Sequence, residues 1–204
     1  FTPMVADDRP AIADAFSERT DPGRVVALDV GGDPHDGGRT TMEVRFESGL
    51  RVAYKPRSVA VASTFFDTIR WLNDRTDGLD LRPLTVLDRG EYGWMEWVDR
   101  APVDSEDAVR QYYRRTGRLT CLLYALRFSD GHFENVIATD DQPVLIDLET
   151  AVRPPTPGET EAGPGTGAFR QSTVLETGLL PEQTNAEGVE ADDESVPDIG
   201  GFGS

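Results

Sequence analysis

Two stretches of alternation sit back to back in this chain. Met42 to Phe46 runs apolar, polar, apolar, polar, apolar, and Leu50 to Tyr54 alternates again after the turn Glu47-Ser48-Gly49. A period of two sends successive side chains to opposite faces, so each stretch reads as a half-buried strand. Val25–Val30 reads as a strand ahead of them, and the connection Gly31-Gly32-Asp33-Pro34-His35-Asp36-Gly37-Gly38 holds four Gly in eight residues. Residues 25–55 are therefore expected to form three antiparallel strands with a Gly-rich first connection, ending at Lys55-Pro56-Arg57.

Helical spacing follows over 59–73, with Val61, Phe65, Ile69 and Leu72 on one face. Leu84–Asp88 and Trp94–Val98 read as short strands around a turn. The longest helical signal covers 105–127, where Ser105 followed by acids at 106 and 107 makes a good start. Its expected apolar face is Val109, Tyr112, Leu119, Leu122, Leu123 and Leu126, and Arg110, Arg114 and Arg118 form a solvated side. Val136–Ala138 and Val144–Ile146 read as a hairpin around Asp140-Asp141-Gln142-Pro143. Residues 154–204 are dense in Pro, Gly and acids. They are expected to be a mobile loop with one docking patch, Val174–Leu180.

Composition matters here mainly for what it excludes. The 204 residues carry a net charge of -17, and the basic residues are 19 Arg and a single Lys, Lys55. So acidic a chain is a poor general binder of nucleic acid or anionic membrane. With 38% hydrophobic residues it can still build a core. An acidic body favouring Arg and Asp is read as a halophilic adaptation. The chain has no apolar run that could span a bilayer and no signal segment, so it is expected to be cytoplasmic. One cysteine, Cys121, excludes an intrachain disulfide and a cysteine zinc site. The chain opens at Phe1 and closes on Gly-Phe-Gly-Ser, and it is expected to be a piece of something longer.

The single lysine ends a strand behind a Gly-rich turn. A lysine is a compact point charge suited to a phosphate oxygen, and a kinase-like site places a strand Lys behind a Gly-rich turn. Further along comes Ser129-Asp130-Gly131-His132-Phe133-Glu134-Asn135, then Asp147-Leu148-Glu149-Thr150. Phosphoryl transfer needs a carboxylate at the attacking hydroxyl, and an Asn and an Asp to hold Mg²⁺. Asp130 and Asn135 are five residues apart, as in a kinase catalytic loop, and Asp147 ends the next hairpin. The order Gly turn, Lys, long helix, Asp…Asn, hairpin, Asp points to an α+β, two-lobed protein/lipid-kinase-like fold. Its antiparallel N-lobe covers 1–100, a mostly helical C-lobe starts over 101–153, and an activation-type segment covers 154–204. Asp130-Gly131-His132 departs from the His-Arg-Asp order of protein kinases. The Asp-x-His-x-x-Asn order is similar to the phosphoinositide-kinase side, and His132 is placed to assist proton transfer or stabilise charge.

Several motifs in succession resemble one family. They are Asp33-Pro34-His35…Gly38-Arg39, Tyr54-Lys55-Pro56-Arg57-Ser58, Trp71-Leu72-Asn73, Tyr92-Gly93-Trp94-Met95-Glu96, Tyr113…Arg115…Gly117, Asp130-Gly131-His132…Glu134-Asn135, Asp147-Leu148-Glu149-Thr150 and Ser172-Thr173-Val174-Leu175…Gly178-Leu179-Leu180-Pro181. The chain resembles the dehydratase domain of class II lanthipeptide synthetases (LanM) over about residues 25–181. The resemblance implies ATP- and Mg²⁺-dependent phosphorylation of Ser and Thr in a ribosomal precursor peptide with a leader. Elimination of the phosphate then leaves an alkene. It also implies a zinc cyclase domain C-terminal to this region in full-length chains.

On matching positions it implies that Lys55 and Arg57 contact nucleotide phosphates, with Gly37 and Gly38 in the covering turn. By its position rather than by the resemblance, Glu96-Trp97-Val98 is expected to join the two lobes and offer backbone to adenine. Asp130 and His132 would be catalytic, Glu149 would assist, and Asn135 and Asp147 would hold magnesium. Asp67 is one candidate partner for Lys55. The same residues would serve a simple kinase of a small molecule, lipid or peptide. A non-catalytic kinase-like module is the third reading, against which the intact Lys55, Asp130, Asn135 and Asp147 weigh.

Overall fold

In the computed structural model the described residues are 2–30, 40–132, 134–148 and 173–180. The chain is α+β and divides into two compact units: Phe1–Gly78 with Arg82–Asp99, and Leu79–Leu81 with Arg100–Ser204.

The first unit is built on a five-stranded antiparallel sheet. Its strands are β1 (Val25–Val30), β2 (Met42–Phe46), β3 (Arg51–Lys55), β4 (Val86–Asp88) and β5 (Gly93–Glu96), in the order β1-β2-β3-β5-β4. The alternation read from the sequence is what the sheet uses. Val44 pairs with Val52 and Tyr54 with Trp94, so these side chains share one face. That face is covered by α1 (Thr2–Phe16), through Val5 and Ile12. Trp94 is fully buried and Phe46 nearly so, and burying a side chain of that size contributes about 2–3 kcal/mol.

Helix α1 was not among the expected elements, and its composition explains why. Val5, Asp8 and Ile12 form the buried stripe, so a carboxylate interrupts the apolar period, and Pro10 lies inside the helix. Asp8 is 2% exposed and accepts four hydrogen bonds. They come from Trp94 Nε1 at 2.8 Å, Tyr92 Oη at 2.9 Å, Arg89 Nε at 2.7 Å, and Arg89 Nη2. A polar stripe of this kind is legible only once its donors are in place.

The opposite sheet face carries charge. Glu43 is buried between Arg45 and Arg51, each donating from Nε at 2.6 Å, and Arg51 reaches Asp99 at 2.5 Å. The hydrogen bonds from Arg45, then Arg51, pull the Glu43 carboxyl down to about 2 against the cost of burial. Helix α2 (Ala60–Asn73) begins on this side, where Val59 packs over Gly93. Its buried residues are Ala62, Phe65, Phe66 and Ile69. The expected face is therefore rotated: Val61 is exposed and Leu72 half-buried, because Phe66 supplies the larger surface.

The second unit holds α3 (Glu106–Ala125), the hairpin β6 (Val136–Thr139) and β7 (Gln142–Leu145), and a 3₁₀ turn at Val174–Thr177. Ser105 caps α3, its Oγ accepting from the Ala108 amide at 3.1 Å. The buried side of α3 is Arg115, Thr116, Leu119, Thr120 and Leu123. Val109 and Leu126, expected inside, are exposed. The two threonines are satisfied inside the helix by the carbonyls of Tyr112 and Thr116, each at 2.8 Å, which makes them as buriable as apolar residues. The hairpin turn is Asp140-Asp141, shorter than expected, with Asp140 at φ 56 and Pro143 paired to Ala138.

Candidate functional site

Lys55, Arg57, Glu96 and Val98 lie in the first unit, and Asp130, His132, Asn135 and Asp147 in the second. Gly37, Gly38 and Glu149 fall outside the described residues.

Lys55 is the last residue of β3, opposite Gly93 of β5. It is only 8% exposed, so the single lysine is no surface remnant. Burying an ammonium is costly unless it is compensated, and Lys55 does carry polar or ionic interactions. It shares its sheet face with Ala53 and, across the pairing Ala53↔Met95, with Met95, 3% exposed. Met95 escaped the sequence reading, although its even spacing from Gly93 puts it on the lysine's face. No side chain fits at Gly93, since a Cβ there would lie 2.1 Å from Val59 Cγ2.

Arg57 is half-buried just beyond the strand. Asp67 is not held for Lys55: it is exposed and bonded to Arg70 at 2.8 Å. Glu96 accepts from Arg82 and from the Thr85 amide, and its own amide is bonded to the Thr85 carbonyl at 2.9 Å. The amide of Glu96 is thereby committed to the sheet, and Val98, two residues on, is 7% exposed.

In the second unit the loop after α3 folds three of the expected residues onto one another. His132 Nδ1 lies 2.9 Å from Asp130 Oδ1, and its Nε2 lies 3.2 Å from Glu134 Oε2. A carboxylate therefore stands at each ring nitrogen. Asn135 Nδ2 donates to the Asp130 carbonyl at 3.0 Å and is 3.3 Å from His132 Nδ1. The shorter distance gives the Asn135 amide hydrogen to the Asp130 carbonyl. The Asn135 amide closes the loop on the His132 carbonyl at 2.9 Å. The Ile146 amide bonds the Asn135 carbonyl at 2.9 Å, so Asn135 and Asp147 emerge at the same end of the hairpin. With its Nδ2 taken, Asn135 has its Oδ1 to present as a ligand. Two oxygens suit Mg²⁺, which keeps waters and substrate phosphates for its remaining positions. No group of three or more His, Cys, Asp or Glu able to hold a metal occurs among the described residues.

Arg115 also escaped attention as a structural centre. It is 8% exposed and donates to the Asp80 carbonyl and carboxylate and to the Asp141 carbonyl. Together with Arg118 to the Leu79 carbonyl at 3.2 Å, it fastens residues 79–81 and the hairpin turn to α3. An arginine on a helix face shows this role only when the acceptors are seen. Among the described residues no helix is long and apolar enough to cross a membrane.

Comparison with known proteins adds two findings. A family described as a domain of unknown function, DUF4135, matches residues 1–204. The chain is also 29% identical over 168 residues to the lacticin 481/lactococcin biosynthesis protein LcnDR2 of Lactococcus lactis subsp. lactis. That alignment covers 77% of the chain and 18% of the relative's length. The relative's name places it in lacticin 481/lactococcin biosynthesis, and at that level the resemblance read from the motifs is borne out.

Proposed function

The chain belongs to the DUF4135 family, and from that premise we propose that it serves lanthipeptide biosynthesis as a peptide dehydratase of kinase-like, two-lobed fold. The observation that carries this reading is the convergence of Asp130, His132 and Asn135 on one loop. The relative's name, which places LcnDR2 in lacticin 481/lactococcin biosynthesis, supports it. The substrate is a Ser or Thr of a ribosomally made precursor peptide, and ATP is the phosphoryl donor.

In this reading Asp130 accepts the proton of the substrate hydroxyl as its oxygen attacks the γ-phosphorus. The bond between that phosphorus and ADP breaks. His132, whose Nδ1 lies 2.9 Å from Asp130 Oδ1, holds that carboxylate in place. Lys55 and Arg57 would hold the nucleotide phosphates, and the Val98 backbone would meet the base. Asn135 and Asp147, with Glu149 assisting, would hold Mg²⁺, which would supply positive charge to offset that of the phosphates. In the second reaction a base removes the α-proton and the Cβ–O bond breaks. Phosphate departs, leaving dehydroalanine or dehydrobutyrine.

The test is mass spectrometry of a precursor peptide incubated with the polypeptide carrying this sequence, ATP and Mg²⁺. The expected result is loss of about one water mass per modified residue, because elimination removes the added phosphate. Phosphate added and retained would make the protein a plain kinase. No ATP-dependent mass change, and no ATP-dependent thermal shift, would leave a binding module.

A further inference from the structure

The Ser129–His132 loop is held from outside by residues far along the chain. The Gly131 amide donates to the Thr177 carbonyl at 2.7 Å. A Cβ on Gly131 would lie 2.6 Å from that same oxygen. A Cβ on Gly178 would lie 3.1 Å from the Gly131 nitrogen and 3.4 Å from the His132 nitrogen. Two glycines thus face each other: Gly131 has no room for a side chain, and one on Gly178 would crowd the Gly131 amide. Gly178 has φ 70, a left-handed conformation that L side chains rarely adopt.

The segment carrying Gly178 is itself fixed. Thr177 is 1% exposed and its hydroxyl donates to the Val174 carbonyl at 2.7 Å, while Leu179 is fully buried. The 3₁₀ turn at 174–177 packs on α3, and Leu123 of that helix lies under Gly131. The docking patch read from the sequence therefore docks on the loop bearing Asp130 and His132.

We propose that Thr177 and Gly178 are positioning residues: their turn sets the backbone of Gly131, and through it the Asp130–His132 pair. The main chain of Gly131 lies between those two side chains, so a displacement of its amide moves both. This rests on the dehydratase reading for its catalytic consequence, but not for its geometry. Gly178→Ala would push a methyl group into the Gly131 and His132 amides. Thr177→Val keeps the shape and removes the hydroxyl that closes the turn, whereas Thr177→Ser retains it.

The experiment has two arms. In the first, amide hydrogen exchange is read on the whole protein without substrate. Gly131 should be protected in the wild type and in Thr177→Ser, and should exchange faster in Gly178→Ala and Thr177→Val. In the second, ATP-dependent modification of the precursor peptide is followed. The kcat should fall about 10- to 100-fold in Gly178→Ala with KM for ATP unchanged, since misplacement of about an ångström costs up to that much. Thr177→Ser should keep wild-type kcat and Thr177→Val should not.

Unchanged exchange at Gly131 in both disruptive variants overturns the clamp. So does a wild-type kcat in both. A protein that shows the exchange pattern yet never modifies peptide overturns the dehydratase reading and leaves the clamp standing as a loop-positioning device. If Gly178→Ala does not fold, the Thr177→Val and Thr177→Ser pair decides alone.

Discussion

Replacing Asp8 by Ala removes the carboxylate on which α1 is fastened to the sheet. Three side chains lose their acceptor at once: Arg89, Tyr92 and Trp94. They do not lose equally. Trp94 is fully buried, so its indole N–H cannot be rescued by water, and an unsatisfied buried donor costs about 1–3 kcal/mol. The Arg89 side chain is 35% exposed and regains part of its hydration. Breaking a buried ion pair from one side costs about 3–5 kcal/mol, and the exposure of Arg89 places the total toward the lower end. With a urea slope of about 2 kcal/mol per molar, the midpoint should fall by about 1.5 M at unchanged slope.

The pH dependence gives a second reading of the same contact. Burial by itself would raise the Asp8 pKa, but the hydrogen bonds from Arg89, Trp94 and Tyr92 outweigh it, and the net shift is downward from 3.8. A carboxylate whose folded pKa is lowered stabilises the fold above its unfolded pKa. That contribution disappears as pH falls through the folded value. The gap between wild type and Asp8→Ala should be full at neutral pH and should close below pH 3.8. A midpoint change under about 0.5 M at neutral pH, or a gap independent of pH, would show that this carboxylate does not hold α1.

Three further outcomes follow from other contacts. Glu43 should titrate at about 2 by carboxyl NMR, and its stabilising contribution should be full above 4.5 and lost as pH falls from there through about 2; a midpoint near 4.5 refutes the twin contact with Arg45 and Arg51. Lys55→Arg keeps the charge but should lower ATP-dependent peptide modification about tenfold or more, because a broad planar guanidinium does not fit a buried site shaped for an ammonium; wild-type rates in that variant would undo the phosphate reading. Arg115→Met should destabilise the second unit by about 2 kcal/mol and speed amide exchange around Asp141, since Asp80 and Asp141 lose their shared donor; an unchanged melting curve would show that the hairpin turn is held otherwise.

Much of the first unit was legible in the chain because its information is local. The alternation in β2 and β3 places Val44, Phe46, Val52 and Tyr54 on one face whatever else surrounds them, and the structure buries that face. Ser105 with the acids after it marks the start of α3, and the structure shows the cap. The candidate residues Asp130, His132 and Asn135 were legible for the same reason. They lie within six consecutive residues, and their mutual contacts need little beyond one loop.

The order of residues alone settled the strand pattern, helices α2 and α3 and the spacing of the second unit's candidate residues, because periodicity and short-range spacing are properties of neighbours along the chain. Tertiary structure decided the rest. It buried a carboxylate in the middle of α1, an arginine and two threonines on the inner side of α3, and the single lysine at the end of β3. Each of these polar groups is costly to bury alone, and the offsetting partners include Trp94 for Asp8, the Asp80 carbonyl for Arg115, and carbonyls one turn back in α3 for the threonines. Tertiary structure also brought Thr177 and Gly178 against Gly131, more than forty residues away along the chain. Apolar periodicity reports what a helix or strand prefers on average, whereas a buried polar residue is selected by particular donors and acceptors that only the folded chain assembles.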